Sequence, residues 1–126
     1  MKKELAAAAL LLLIFCASLW HLRHLRLLLD ELQTRTDLTT AAAEASQWDI
    51  AAAASDALLL RWQNAEGYTQ VFIRHPDIDA VSDALVSLIS AVRSQDADAC
   101  RTAAFSIQNR LLAIRKAETP TLGSIF

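Results

Sequence analysis

Glycine, proline and aromatic residues are all scarce in this sequence of 126 residues. It contains two glycines and two prolines, and 6% of its residues are aromatic. Hairpin turns and phosphate-binding loops depend on glycine, so this composition argues against a β-sandwich and against a Rossmann-type enzyme. The abundant residues are 24 alanines and 21 leucines, which favour helices strongly. The composition therefore predicts an all-α protein with long helices.

Charge and reactive side chains are also limited. Twelve basic and 14 acidic residues give a net charge of −2, so nothing indicates nucleic acid as a partner. Cys16 and Cys100 are far apart in the sequence, and we expect no internal disulfide. No G-x-S-x-G turn is present, and His75 has no evident companion for base catalysis. We predict neither an enzyme nor a bound cofactor or metal.

One long apolar run lies near the start of the sequence. After Lys2 and Lys3, residues 5–20 are apolar except for one serine. Extended to Leu22, the run spans about 27 Å as a helix, close to the hydrocarbon thickness of about 30 Å. The arginines that follow can extend their charged ends to the membrane interface. We predict a transmembrane anchor over residues 1–22.

The same run can be interpreted as a cleavable signal peptide. The segment Cys16-Ala17-Ser18 supplies the small residues that a signal peptidase needs. Against cleavage, neither proline nor glycine interrupts the helix before that site, and leucines continue beyond it at Leu22 and Leu25. We favour an uncleaved anchor and keep cleavage after Ser18 as the alternative.

Basic residues lie on both sides of the predicted span. Lys2 and Lys3 precede it, while Arg23 and Arg26 follow it, so the positive-inside rule gives a weak preference. A short N-terminal head usually stays in the cytoplasm. We therefore expect a single-pass protein of the cell membrane, with the bulk of the chain extracytoplasmic.

Apolar residues beyond the anchor recur at steps of three and four, the spacing of one helix face. The first stripe predicts a juxtamembrane helical stalk over residues 23–45, which the threonine-rich stretch at 34–40 is expected to weaken. Three further stripes, the first two separated at Pro76, predict a bundle over residues 46–118. The predicted fold is a transmembrane helix continuing into a stalk, followed by a small antiparallel bundle of three to four helices.

Four aromatic side chains belong to the predicted bundle. Large aromatic residues at helix-face spacing are more often core residues than a ligand-stacking pair. We therefore assign the role of core anchors to Trp48, Trp62, Tyr68 and Phe72.

The junction from His75 to Asp79 places an imidazole and two carboxylates close together. Hard cations usually need more oxygen ligands than this, and no glycine-bearing loop shapes a cage here. The simpler interpretation is that Asp77 caps the next helix and that Asp79 lies in its first turn. A ligand junction of His75, Asp77 and Asp79 stays open as the alternative.

The predicted tail, residues 119–126, is apolar. Its large side chains are Leu122, Ile125 and Phe126. Exposed apolar side chains of this size usually mark a contact. We expect them either to fold back into a groove of the bundle or to be bound by a partner.

Two parts of the sequence together resemble a known family. They are the aromatic residues of the bundle leading into Phe72-Ile73-Arg74-His75 with Asp77-Ile78-Asp79, and the ending from Glu118 to Phe126. The family comprises small single-span proteins of Clostridia and related Firmicutes, catalogued as a domain of unknown function. Its members are similar in an F-I-x-H-x-D-I-D-type junction and a P-T-L-x-N-I-F-type ending, where this chain has Ser124 in place of the asparagine. The resemblance implies a membrane anchor and supplies no activity.

Two classes of function follow from these features. The favoured hypothesis is an accessory or interaction protein, tethered to the lipid bilayer, that packs against another membrane protein or forms a homo-oligomer. The alternative is an envelope ligand or cation sensor that uses the junction from His75 to Asp79. A secreted helical bundle, released by signal cleavage, is the second alternative.

Overall fold

A computed structural model describes residues 1–118, with the backbone alone described for Phe72 and Glu118. These residues form five α-helices: α1 Lys2–Glu44, α2 Trp48–Asn64, α3 Glu66–Phe72, α4 His75–Arg93 and α5 Ala97–Glu118. No strand occurs in the described part of the chain. The predicted all-α class, with a long apolar N-terminal helix followed by a helical bundle, is confirmed.

Helix α1 is one uninterrupted helix of 43 residues, which makes it about 64 Å long. The threonine-rich stretch that we expected to weaken it is helical throughout. The hydroxyls of Thr36, Thr39 and Thr40 donate hydrogen bonds to carbonyl oxygens four residues earlier, at 2.8–3.0 Å. Thr36 and Thr39 are also buried, so packing outweighs their weak helix propensity.

The segment assigned to a stalk, residues 23–45, forms the first helix of the bundle. It is helical as expected, but it does not stand free, because α1 packs against both α2 and α5. Of the predicted stripe, Leu25, Leu29 and Leu32 are fully buried and Leu22 is half-buried, and Leu28 is fully buried beside them. Periodicity predicted this apolar face, and the tertiary structure shows that the rest of the bundle covers it.

Helices α1, α2, α4 and α5 form an up-down-up-down four-helix bundle, in which each helix packs against two neighbours. Three polar contacts fix the antiparallel register of α1 and α5: Glu44–Arg101 at 3.9 Å, Asp37–Gln108 at 3.1 Å and Asp30–Arg115. Helix α5 therefore ends level with the point where α1 leaves the bundle. We call this the proximal end, and the opposite one the distal end.

The two turns at the distal end close their helices in the same way. Ser46 and Gln95 follow the ends of α1 and α4 with φ values of 58° and 54°. The next amide of each turn donates back to the carbonyl of Ala42 or Ala91. This is the Schellman arrangement, which usually places glycine at the left-handed position. Here serine and glutamine adopt it, so the short connections form in a chain that has little glycine.

The core lies along the axis of the bundle and consists mainly of leucine, isoleucine and alanine. Each of the four long helices places a fully buried leucine side chain in this core: Leu29, Leu58, Leu88 and Leu111. Trp62 is also buried, and its indole N–H donates to the Ser82 hydroxyl at 3.0 Å. Among the described residues, every buried side-chain nitrogen or oxygen has a hydrogen-bond partner. The core therefore stabilises the bundle through apolar packing, without the free-energy cost of a buried polar group that lacks a hydrogen bond.

Glu31 of α1 forms an ion pair with Arg61 of α2 at 2.7 Å, and this gives a pH-dependent prediction. The hydrogen bond from Arg61, supported by Arg35 and partly opposed by burial, lowers the pKa of Glu31 below its ordinary value of 4.5. A lowered folded-state pKa stabilises the fold above pH 4.5, and this contribution is lost as the pH falls through the folded-state pKa. The pair is partly exposed, so we expect Glu31→Gln to destabilise by about 0.2–1 kcal/mol at neutral pH.

Thermal unfolding of both chains in detergent micelles, measured from neutral to acidic pH, tests this prediction. The difference in Tm should shrink as the pH falls below 4.5. A difference that stays constant down to the lowest pH would show that the charge of Glu31 plays no part.

Candidate functional site at the proximal end

Residues 5–20 of α1, which precede the bundle, are apolar except for Ser18 and are all exposed. Among the described residues, one helix is long and apolar enough to cross a membrane, and none of that apolar window in α1 is buried. We call residues 5–22 the apolar segment. Trp20, near its end, is 66% exposed, whereas Leu25, little more than one turn later, is 1% exposed. The helix passes from fully uncovered to fully packed within this short distance.

A cluster of aromatic and imidazole side chains marks this transition. We call it the proximal cluster, and its members are Trp20, His21, His24 and Tyr68. The Tyr68 hydroxyl of α3 lies 2.6 Å from Nδ1 of His21 and donates to the His21 carbonyl at 3.2 Å. Both contacts are satisfied together when Nδ1 carries a proton and donates to the phenol oxygen. His24 meets the Tyr68 ring edge-on, with centroids 4.7 Å apart, and stacks with Trp20 at 5.4 Å. The cluster ties the short helix α3 to α1.

The composition of this cluster suits a membrane interface. Tryptophan and tyrosine have an apolar body and a polar tip, and they are enriched where hydrocarbon meets water. The sequence pattern does not reveal the contacts that His21 and His24 make with Tyr68, which lies 47 residues from His21. Helical spacing cannot reveal a partner so distant in sequence.

The predicted aromatic core anchors differ in their surroundings. Trp62 lies in the core, and Trp48 and Tyr68 are half-buried and pack against it. The ring of Tyr68 therefore packs against the core, and its hydroxyl contacts His21 in the proximal cluster. The side chain of Phe72 lies outside the described residues.

The junction from His75 to Asp79 lies at the proximal end, but its parts differ from the sequence expectation. The N-cap of α4 is Arg74, because Pro76 occupies the start of the first turn. The predicted cap role of Asp77 is wrong: this residue lies inside the first turn, 3.2 Å from the Arg74 guanidinium. His75 and Asp79 are exposed, and Asp79, the fifth residue of α4, lies beyond the first turn in which we expected it. Negative charge in the first turn of a helix is favourable by itself, so Asp77 has a structural reason to be there.

A metal site finds no support in the described part of the chain. No group of three or more histidine, cysteine, aspartate or glutamate side chains lies close enough there to hold a metal ion. Cys16 is exposed on α1, whereas Cys100 is buried in the bundle. Burial, assisted by the nearby Asp96 carboxylate, raises the pKa of the Cys100 thiol. Less of it is then thiolate, so Cys100 is suited to packing rather than to nucleophilic chemistry.

A groove between α2 and α4 is open on the outer surface of the bundle. It has two adjoining lobes of about 300 and 430 Å³, which share Leu59 and Val86. The smaller lobe begins at Glu66 and Ile78 near the proximal end, and the larger ends at Ser94 near the distal end. From Ile78 to Ser94 this α2–α4 groove is about 24 Å long. The groove is therefore long enough for an added helix of about 16 residues. Leu59 and Val86, which both lobes share, form its apolar floor.

Comparison with known proteins identifies the family. A family model described as a domain of unknown function, DUF4363, matches residues 19–125. The chain belongs to the DUF4363 family. No curated protein and no solved structure matches this chain. The matched region of DUF4363 begins at Leu19, so it contains the proximal cluster and the bundle but leaves out most of the apolar segment.

The tail residues Leu122 and Ile125 lie within the DUF4363 match, whereas Phe126 lies just beyond it. All three lie outside the described residues. The last described residue, Glu118, ends α5 at the proximal end.

Proposed function

We propose that this member of the DUF4363 family is a membrane-anchored interaction module. Its apolar segment spans the bilayer once, and its bundle stands at the extracytoplasmic surface to pack against another membrane protein or a second copy. The observation that carries the proposal is the uncovered apolar segment, which continues without a break into a packed bundle. An apolar helix exposed on all sides requires lipid or protein around it.

The α2–α4 groove is the surface that we assign to the partner. Its smaller lobe opens near the proximal end, where a partner's transmembrane helix would leave the bilayer alongside α1. Val86 is 60% exposed at its centre, so a groove contact would cover apolar surface that the bundle leaves in water. An apolar helix stripe fits such a groove, as in other helix-in-groove complexes.

Site-specific photo-crosslinking in native membranes tests this assignment. A photoreactive residue in place of Gln63, which lines the groove, should give an adduct with a membrane protein or a second copy. The same residue in place of the neighbouring Asn64, which is exposed but outside the groove lining, is the matched control. Val86→Asp should abolish the Gln63 adduct, because it places a charge on the apolar floor.

Two results would overturn the partner assignment. One is equal adducts from both positions, and the other is an adduct that survives Val86→Asp. Release of the intact chain from membranes by alkaline carbonate would overturn the anchor itself.

A further inference from the structure

We propose that a second copy of the chain packs along one exposed face of α1, so that the two copies form a parallel two-fold dimer. This inference rests on the proposed function, because it requires the apolar segment to span the bilayer. It assigns the second copy to α1 and leaves the α2–α4 groove to a different membrane protein.

One face of α1 is exposed from the apolar segment to the bundle. An α-helix turns by about 100° per residue, so the positions between 9 and 38 that lie within about 20° of Leu27 form one line along the helix. We call this line the α1 face, and its members are Ala9, Cys16, Trp20, Leu27, Thr34 and Leu38. All six are exposed and none is charged. The α1 face therefore passes from the apolar segment onto the bundle without interruption, over about 44 Å.

The length of the α1 face selects its partner. Leu27 and Leu38 are 58% and 59% exposed on the bundle, so a partner helix there would cover apolar surface. A partner that contacts both Cys16 and Leu38 needs a helix that leaves the bilayer without a break, in the same direction as α1. A second copy has such a helix, with the same side chains at the same heights.

The edge of the α1 face toward α2 carries more positive than negative charge. Glu31 marks this edge, because it pairs with Arg61 of α2 at 2.7 Å. It also pairs with Arg35 at 3.1 Å. Two arginines thus share one carboxylate, and Arg35, whose side chain is 37% exposed, can accept a second anion.

The edge toward α5 carries a carboxylate that its own hydrogen bonds do not neutralise. Asp37 accepts hydrogen bonds from Gln33 and from Gln108 of α5, which are both uncharged. The other charged side chains on this side of the bundle lie about two turns or more from Asp37 along the axis: Asp30, Glu44, Asp98, Arg101, Arg115 and Lys116.

A parallel two-fold pair brings these two edges together. The edge toward α2 in one copy then faces the edge toward α5 in the other, at the same height. Arg35 and Asp37 differ by about 3 Å along the axis, so Arg35 of each copy meets Asp37 of the partner subunit. An antiparallel pair would instead place like edges together. The charges beside the α1 face therefore complement a second copy in the one orientation that a shared bilayer allows.

Oxidative crosslinking of single-cysteine chains in native membranes tests the dimer. Every chain carries Cys100→Ala, so Cys16, which is exposed, is the remaining thiol. We expect Cys16 to give a disulfide-linked dimer of this chain. In a Cys16→Ala background, Leu38→Cys should give the same dimer through the bundle.

Two matched controls should stay largely monomeric. Ile14→Cys lies two residues from Cys16, but it points about 160° away from it around the helix axis. Ser87→Cys is exposed on α4, which packs against α2 and α5 and lies diagonally across the bundle from α1.

The outcomes separate the dimer from the anchor. Equal crosslinking at positions 14 and 16 would indicate random collisions and would overturn the inference. A dimer at position 16 without one at 38 would also overturn it, because the contact would then be confined to the bilayer. A monomeric chain that resists carbonate extraction overturns the dimer alone, whereas a chain released by carbonate overturns the proposed function.

Exchange of the edge charges tests the parallel arrangement. Asp37→Arg in the Leu38→Cys chain should lower the dimer yield several-fold, because it places like charges opposite each other at two symmetric positions. Adding Arg35→Asp should restore most of the yield. An unchanged yield in the first variant, or no recovery in the second, would overturn the arrangement.

Discussion

Leu29→Ala should lower the free energy of unfolding by about 2–5 kcal/mol, the usual cost of removing a fully buried leucine side chain. Leu29 is 0% exposed and lies in the segment of α1 that the sequence suggested was a stalk. The loss arises because the neighbouring helices cannot fully collapse into the space left by the side chain. Urea unfolding of the full chain in detergent micelles, followed by tryptophan fluorescence, measures the effect, since Trp48 and Trp62 both report on the bundle.

Leu27→Ala provides the matched control. Leu27 lies two positions earlier on the same helix and is 58% exposed. Its replacement should change the free energy of unfolding by no more than about 0.5 kcal/mol, as expected for a surface position. Equal, small effects at both positions would mean that residues 25–43 do not belong to the cooperative unit of the bundle.

Leu13→Arg should greatly reduce the share of the chain that resists extraction by alkaline carbonate. Leu13 lies at the centre of the apolar segment and is 66% exposed. An arginine at the centre of a transmembrane helix costs about 2.5–3.5 kcal/mol on insertion scales. This corresponds to about a hundredfold change in an insertion equilibrium. Immunoblotting of the pellet and supernatant after carbonate treatment measures the change.

Leu38→Arg is the matched control for this experiment. Leu38 lies on the same helix and is 59% exposed, but it belongs to the bundle. The folded chain exposes both leucines to a similar extent, so only a surrounding bilayer distinguishes them. If the two variants were retained equally by membranes, the apolar segment would not be the anchor.

Much of the fold could be predicted from the sequence. The apolar run near the N-terminus, the scarcity of glycine and the steps of three and four each describe a single helix, and a single helix is determined mainly by local spacing. The last stripe is a clear example, because Cys100, Ala104 and Ile107 are all buried on α5 as their spacing indicates.

Less of the candidate site could be predicted from helical spacing. Tyr68 was assigned to the core because a half-buried aromatic side chain and a fully buried one produce similar sequence patterns. Its hydrogen bonds to His21 depend on where the short helix α3 meets α1. The role of Asp77 was predicted wrongly for a local reason. Aspartate is favoured both at the N-cap and in the first turn of a helix, and the position of Pro76 decided between the two.

By itself, the sequence determined that the chain is helical, that an apolar stretch lies near its start and that each later helix has one apolar face. The tertiary structure alone decided that residues 25–43 lie inside the bundle, that Tyr68 reaches His21 and that α5 ends beside the apolar segment. The physical reason is that periodicity records how apolar side chains are distributed around one helix axis. Which surface covers that face, and at what height, depends on how several helices pack together.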